Sequence, residues 1–404
     1  MKRIALITSR FPYGGKEAFL CEEILELSQV CEVVVLPALP TREETTMPQV
    51  RSMRMRLLSP SVLAAAAAET LRAPRRAFRA LTAVLRAPRS LNSKWKNLLV
   101  FPTGLAAGRA LRRLGTDHVH AYWLAIPATV AYVAAAMNDI PWSATGHRYD
   151  LVDSNMSGAG RRDTFIASAE FIRTISAAGE RRLRDTLGPA VQARLFTQHL
   201  GVRVPARVVS FAVEERLRLI CAANLERVKG HEILFEAIAQ ARARGVRLAC
   251  TLAGDGTLRA ALESRARVLG LGDCVHFSGF VPHERLLAAI QRGAYDAAIL
   301  TSIDEGPQEC EGIPIFLAES MAAGLPVIAT RSGAVGELVD ASNGVLCPPN
   351  DARAVAQAIC ALAGNPELRA ALGAAGRATI RRRFDVRDNA QRIASRLLGE
   401  SVVA

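Results

Sequence analysis

The segment Thr301–Gly324, TSIDEGPQECEGIPIFLAESMAAG, holds the densest set of residues that could do chemistry. Asp304, Glu305, Glu309 and Glu311 crowd a polar stretch; Pro314 then opens a helix that carries Glu319 and stops before Gly324. Amides from Ile315 onward would form the positive end of that helix, a natural seat for an anion such as a diphosphate. Glu319 sits in an otherwise apolar run of Ile315, Phe316, Leu317 and Met321. A carboxylate there needs donors, either vicinal ribose hydroxyls or an arginine.

Further candidates lie just past apolar runs that read as strands. Lys229-Gly230 precedes a helix starting near His231, where a lysine could meet a phosphate or simply be a solvated turn residue. Gly254-Asp255-Gly256 opens like a GxGxxG, but its sixth position is Arg259 and no acid follows where a dinucleotide ribose would need one. That disfavours a nicotinamide site and leaves a glycine turn. Gly14-Gly15 would let a ligand approach bare backbone. His147, in Thr145–Asp150 (TGHRYD), is placed over a strand end, and His120, in HVHAYW, is a weaker candidate; each could equally be a satisfied structural group. There is no DxD and no HExxH, so no metal is expected to be required.

The elements that position these residues alternate short β-rich runs with helical ones. Strands are predicted at Arg3–Ser9, Glu32–Pro37, His118–Trp123, Pro141–Thr145, Phe171–Ser176 and Arg194–His199, then at Leu217–Ala223, Val246–Ala253, Cys274–Gly279, Asp296–Ser302 and Pro326–Thr330. Such alternation gives parallel sheets covered on both faces. Eleven strands exceed one compact sheet, so the fold class is α/β with two doubly wound domains facing a central cleft: residues 1–203, with 385–404 packing back on them, and 204–384. Ligands are expected at strand carboxyl ends.

The 404 residues include 51 Lys plus Arg and 38 Asp plus Glu; half are hydrophobic and 22% charged, which excludes wholesale disorder. Eight scattered cysteines without CxxC fit reduced thiols rather than a disulfide scaffold or zinc ribbon. The opening MKRIALITSRFP reads as a first strand, not a signal sequence, and no apolar run is long enough to span a bilayer. The positive charge is concentrated: between Arg51 and Arg113 fourteen basic residues accompany one acid, Glu69. On a helical wheel Phe78, Leu81, Val84 and Leu85 face one side, and Arg72, Arg75, Arg76, Arg79 and Arg86 the other. This amphipathic helix either lays its apolar stripe on the domain core or docks on an anionic cytoplasmic leaflet. Nucleic acid is disfavoured, because aromatics are only 5% and no stacking platform accompanies the arginines.

Taken in order, the landmarks resemble the retaining glycosyltransferases of family 4 along nearly the whole chain. They are Gly14-Gly15, Thr-Gly-His147, NLERVKG at Asn224–Gly230, GDGTL at Gly254–Leu258, the E-x7-E of Glu311 and Glu319 within EGIPIFLAESMAAGLPVIAT, and the SGAVGEL and NGVLCPPND segments. RFPYGGKEAFL and DEGPQECEGIP look most like exopolysaccharide or lipopolysaccharide enzymes. The resemblance implies the GT-B architecture, with a nucleotide-diphosphate sugar as co-substrate on the second domain and the acceptor largely on the first. It assigns Lys229 to the donor diphosphate, Glu319 to the ribose hydroxyls, and Glu311 to the transferred sugar and charge at its anomeric carbon. Gly14 and Gly15 would offer amides to phosphate, with Gly254, Gly312, Ile313, Pro314 and Ile315 also at the donor. His147 would touch the sugar, with His120 and Asp150 on the acceptor side. One departure stands out. Where the family usually has an arginine five residues before the lysine, this chain has Asn224, so either Arg227 substitutes or Lys229 and helix amides suffice.

The implied reaction is front-face, metal-independent transfer to a hydroxyl of a glycan or glycolipid in bacterial surface polysaccharide synthesis, the leaving diphosphate taking the acceptor proton. Catalysis would rest on positioning and electrostatics. Two alternatives stay open: a sugar-nucleotide 2-epimerase of the same fold, and a non-catalytic, membrane-docked nucleotide-sugar binder. The expected location is cytoplasmic, or peripheral on the inner face of the membrane with a polyprenyl-diphosphate-linked acceptor.

Overall fold

The computed structural model describes the chain except residues 14, 42–49, 87–90, 149, 151–164, 186, 210–215, 307–308 and 401–404. The chain divides into two compact units, Met1–Gly201 with Val386–Ala404, and Val202–Asp385. Each is built on one sheet. The first contains β1 (Arg3–Thr8), β2 (Glu32–Pro37), β3 (Arg51–Ser52), β4 (His118–Ala121), β5 (Trp142–Gly146), β6 (Ile172–Thr174) and β7 (Leu195–Thr197), in the order β3-β2-β1-β4-β5-β6-β7. The second contains β8 (Leu217–Ala222), β9 (Leu248–Ala253), β10 (Val275–Gly279), β11 (Ala297–Leu300), β12 (Val327–Thr330) and β13 (Val345–Cys347), in the order β10-β9-β8-β11-β12-β13. Every pairing in both sheets is parallel.

Strands such as RIALIT and EVVVLP are apolar almost throughout because helices cover both faces. On β1, Ile4 and Leu6 join Ile24, Leu27, Ala390 and Ile393, so helix Val386–Leu397 closes one face of the first unit. Ala5 and Ile7 join Leu111, Val119 and Val130 on the other face. The second core gathers Leu219, Ile220, Phe235, Ile299, Met321, Ile328 and Ile359. In both sheets the strand order reverses beside the first strand, between β1 and β4 and between β8 and β11. Chain leaving the two carboxyl ends there diverges and opens a crevice.

The strands are mostly a residue or two shorter than predicted, and β3 and β13 were not expected. Two exposed residues make β3, and β13 has three; neither carries an apolar run long enough to register.

The basic helix, Pro74–Arg86, corrects the wheel. Ala77, Ala80 and Val84 are its buried stripe, against Phe101, Leu105, Val133 and Met137, while Phe78 turns outward, 68% exposed. Small alanines let the helices approach closely where a phenylalanine would not fit. Part of the positive charge is structural. Arg72 and Arg112 bracket the buried Glu69, and Arg72 and Arg76 donate to the Met137 carbonyl at the end of helix Ile126–Ala136. Among the described residues, no helix is long and apolar enough to cross a membrane.

Candidate active site

The second unit assembles its polar residues at the carboxyl ends of β8 and β11. After β8 the chain runs through Asn224 into a single turn, Arg227–Lys229, closed by Gly230 at φ +63°. A Cβ at Gly230 would lie 1.9 Å from the Thr301 carbonyl oxygen, so only glycine lets this turn press against the segment leaving β11. That approach brings Lys229 Nζ within 2.6 Å of Glu311 Oε2.

Glu311 is held from several sides. Ser302 Oγ donates to Oε2 at 3.0 Å, the Gly312 amide donates to Oε1 at 3.2 Å, and the Glu311 amide donates to Ser332 Oγ at 2.8 Å. Its side chain is 12% exposed and that of Lys229 is 21%. Ile313 and Pro314 lead into helix Ile315–Ala323, whose first internal bonds are made by Leu317 and Ala318 to the Pro314 carbonyl, leaving the Ile315 and Phe316 amides ahead of them. At the far end the buried Arg377 donates to the Ala322 carbonyl and braces the helix. Glu319 lies on this helix, its Oε1 2.6 Å from His283 Nε2.

The remaining donor-side candidates separate. Among the described residues the Asn224 side chain reaches only Glu226, at 3.5 Å. Arg227 is engaged by both Glu305 and Glu309, so the cation considered as its substitute is already neutralised by the loop before Glu311. A Cβ at Gly254 would fall 2.0 Å from the Ala223 carbonyl oxygen; the bare Cα there is required by the neighbouring chain, independent of any ligand.

In the first unit, Gly14 lies outside the described residues and Gly15 begins the turn Gly15–Leu20. The amides just before this turn are held by a side chain. Glu17, 4% exposed, accepts from the backbone amides of Ser9, Arg10 and Phe11 and from Trp123 Nε1. Its carboxylate is the loop's own internal anion.

His147 is not open at a strand end. It is 4% exposed, stacks on Trp123 at 4.3 Å between centroids, and contacts Phe19 at 5.6 Å. Burial pushes its pKa down to about 3, so the ring is neutral. Its Nε2 has no hydrogen-bond partner among the described residues. Asp150, fully buried, accepts from the amides of His147 at 3.1 Å and Leu124 at 3.0 Å, tying together the segments after β5 and β4. His120 is corrected to a core side chain. Its two ring nitrogens bond Ser143 and Thr145 on β5 at 2.7 and 2.8 Å, and it is 1% exposed. Burial lowers its pKa well below the ordinary histidine value.

Sequence reading missed Glu17, Trp123, His283 and Ser302. Glu17 follows the glycine pair within one turn and could have been noticed; His283 meets Glu319 only through the packing of two helices.

Residues 205–379 match the family described as glycosyl transferases group 1. The second unit is a glycosyltransferase group 1 domain. Curated relatives include WcaL of Escherichia coli K12, named for colanic acid biosynthesis, 35% identical over 146 residues, which are 36% of each chain. The amylovoran biosynthesis glycosyltransferase AmsK of Erwinia amylovora is 31% identical over 47% of this chain and 45% of AmsK. A GDP-mannose-dependent phosphatidylinositol monomannoside mannosyltransferase of Mycolicibacterium smegmatis is 26% identical over 74% of this chain and 82% of its own. The chain thus spans less than half the length of WcaL and AmsK. Among solved structures, HepE of Anabaena in complex with UDP superposes with a TM-score of 0.73 over 99% of this chain and 100% of HepE, at 19% identity. The glycosyltransferase group 1 domain and its companion unit therefore have the GT-B fold, two Rossmann-like parallel-sheet units.

Proposed function

We propose that the chain is a retaining glycosyltransferase that moves a sugar from a nucleotide-diphosphate donor to a hydroxyl of a glycan or glycolipid in bacterial surface polysaccharide synthesis. The observation that carries this reading is the Lys229–Glu311 pair beside the start of helix Ile315–Ala323, with Glu319 eight residues beyond Glu311 on that helix. A cation, helix amides and two carboxylates at a strand-order reversal suit a diphosphate, a sugar and a ribose in turn. The names of the relatives support the reaction class.

In this reading Lys229 and the Ile315 and Phe316 amides stabilise the departing diphosphate, which takes the acceptor proton. Glu311, fixed by Ser302 and the Gly312 amide, faces the sugar and supports positive charge at its anomeric carbon. The acceptor is assigned to the first unit, where neutral His147 can offer or accept a hydrogen bond but is a poor acid. No metal is required. The test is transfer from a panel of nucleotide sugars to polyprenyl-diphosphate-linked and free glycan acceptors in the presence of a chelator. Acceptor-dependent transfer is expected. Isomerisation of the donor would favour the 2-epimerase, and binding without turnover the non-catalytic reading.

A second proposal concerns location. Leu71, Phe78, Leu91 and Trp95 are 64–82% exposed on the three helices Pro60–Arg72, Pro74–Arg86 and Leu91–Leu114, with Arg75 and Arg79 exposed among them. Apolar side chains set among arginines suit the anionic inner face of the cytoplasmic membrane, where each cation adds about 1 kcal/mol. Flotation with anionic but not neutral vesicles at low salt is expected; flotation with neither would remove the membrane.

A further inference from the structure

Glu319 has one side-chain partner among the described residues, and it is the imidazole of His283. The carboxylate can only accept, so the 2.6 Å contact places a proton on Nε2 of His283. His283 opens helix His283–Gln291, which packs against helix Ile315–Ala323. The Glu319 side chain is recessed, 13% exposed, and that of His283 is more open at 47%.

We propose that His283 is a positioning residue for the donor. It holds one oxygen of Glu319 so that the carboxylate's remaining acceptor positions point where a ribose 2′,3′-diol can donate to them. The inference rests on Glu319 being the ribose carboxylate. It adds that ribose preference is set jointly by Glu319 and a residue 36 positions earlier. A vicinal diol needs two correctly aimed acceptor directions, and a carboxylate free to rotate would lose entropy on binding that the His283 contact has already removed.

The test is isothermal calorimetry with the common ribonucleoside diphosphates, and with the 2′,3′-dideoxy analogue of whichever binds tightest. The proteins are wild type, His283→Ala, His283→Gln and Glu319→Ala. His283→Ala is expected to weaken the ribonucleotide roughly tenfold and leave the dideoxy analogue unchanged, with His283→Gln restoring most of the loss through its amide N–H. Equal weakening of both ligands, or no weakening at all, would overturn the role of His283 when Glu319→Ala has abolished the preference for ribose. If Glu319→Ala keeps the full preference for ribose, the reading of Glu319 itself fails and the proposal falls with it.

Discussion

Lys229 Nζ and Glu311 Oε2 meet at 2.6 Å, joining the chain after β8 to the chain after β11. The cation proposed for the diphosphate is therefore neutralised by the carboxylate proposed for the sugar. Glu311 does not depend on it alone, because Ser302 and the Gly312 amide also hold that carboxylate. An arriving donor can thus draw Lys229 towards its phosphates without leaving Glu311 bare.

Replacing Lys229 by alanine should lower turnover by about 100-fold, the scale of one lost charge-assisted contact to a departing anion. The melting temperature should fall by no more than a few degrees, since Glu311 keeps two donors. Initial rates with saturating acceptor and a thermal melt check both halves; near-normal turnover would contradict the phosphate role.

The first unit holds a different kind of pair. Arg173 and Glu23 are both essentially inaccessible and bonded twice at 2.8 Å, and Tyr122 donates to the same carboxylate at 2.7 Å. Glu23→Ala leaves the guanidinium buried with only the Gln198 and His199 carbonyls. Urea denaturation should show a loss of about 3–5 kcal/mol. A loss under 1 kcal/mol would mean that the site rehydrates.

Much of the architecture was legible because strands buried on both faces are apolar throughout, and helices between them leave few ways to connect. The E-x7-E segment and the Lys-Gly turn could be read for the same reason, each lying within one strand-to-helix step. Long-range partners could not. Arg227 meets Glu305 and Glu309 about eighty residues on, and Glu319 meets His283 through helix packing. The outward turn of Phe78 depended on which neighbours its helix met. His120 was readable in principle. His118 and His120 share one face of β4, and Ser143 and Thr145 share the matching face of β5, in register His120 with Ser143. That period-two match marks a hydrogen-bonded core.

Four buried histidines contribute to the acid limb of stability, His120 among them with a pKa well below the ordinary value. Burial lowers His147 to about 3, and His118 and His231 to about 4, all from 6.5. Below pH 6.5 the unfolded chain takes up protons that the fold refuses, so stability is full above that pH and lost as pH falls towards the folded values. The loss is about 2 kcal/mol per histidine at pH 5. His231 has neither ring nitrogen bonded among the described residues, so His231→Leu should flatten the decline between pH 7 and pH 5 by about that amount. Denaturation midpoints across that range decide it; an unchanged slope would mean that His231 titrates normally.

Asn224 offers the sharpest test of the phosphate site. The family resemblance expects an arginine there, and the side-chain amide present reaches only Glu226 among the described residues. Arg227 cannot supply the charge without leaving Glu305 and Glu309. Those pairs are exposed and screened by solvent, so a diphosphate could draw Arg227 away at small cost. Two variants separate the possibilities. If Lys229 and the helix amides act alone, Asn224→Arg adds a second cation and should tighten nucleoside diphosphate binding by up to about tenfold, while Glu305→Gln with Glu309→Gln leaves binding unchanged. If Arg227 already serves, releasing it with the double variant tightens binding and Asn224→Arg adds little. We expect the first pattern, because the Gly230 turn directs Lys229 rather than Arg227 towards Glu311. Titration of each variant with the tightest-binding diphosphate reads the difference directly, and the second pattern would transfer the missing arginine's role from position 224 to Arg227.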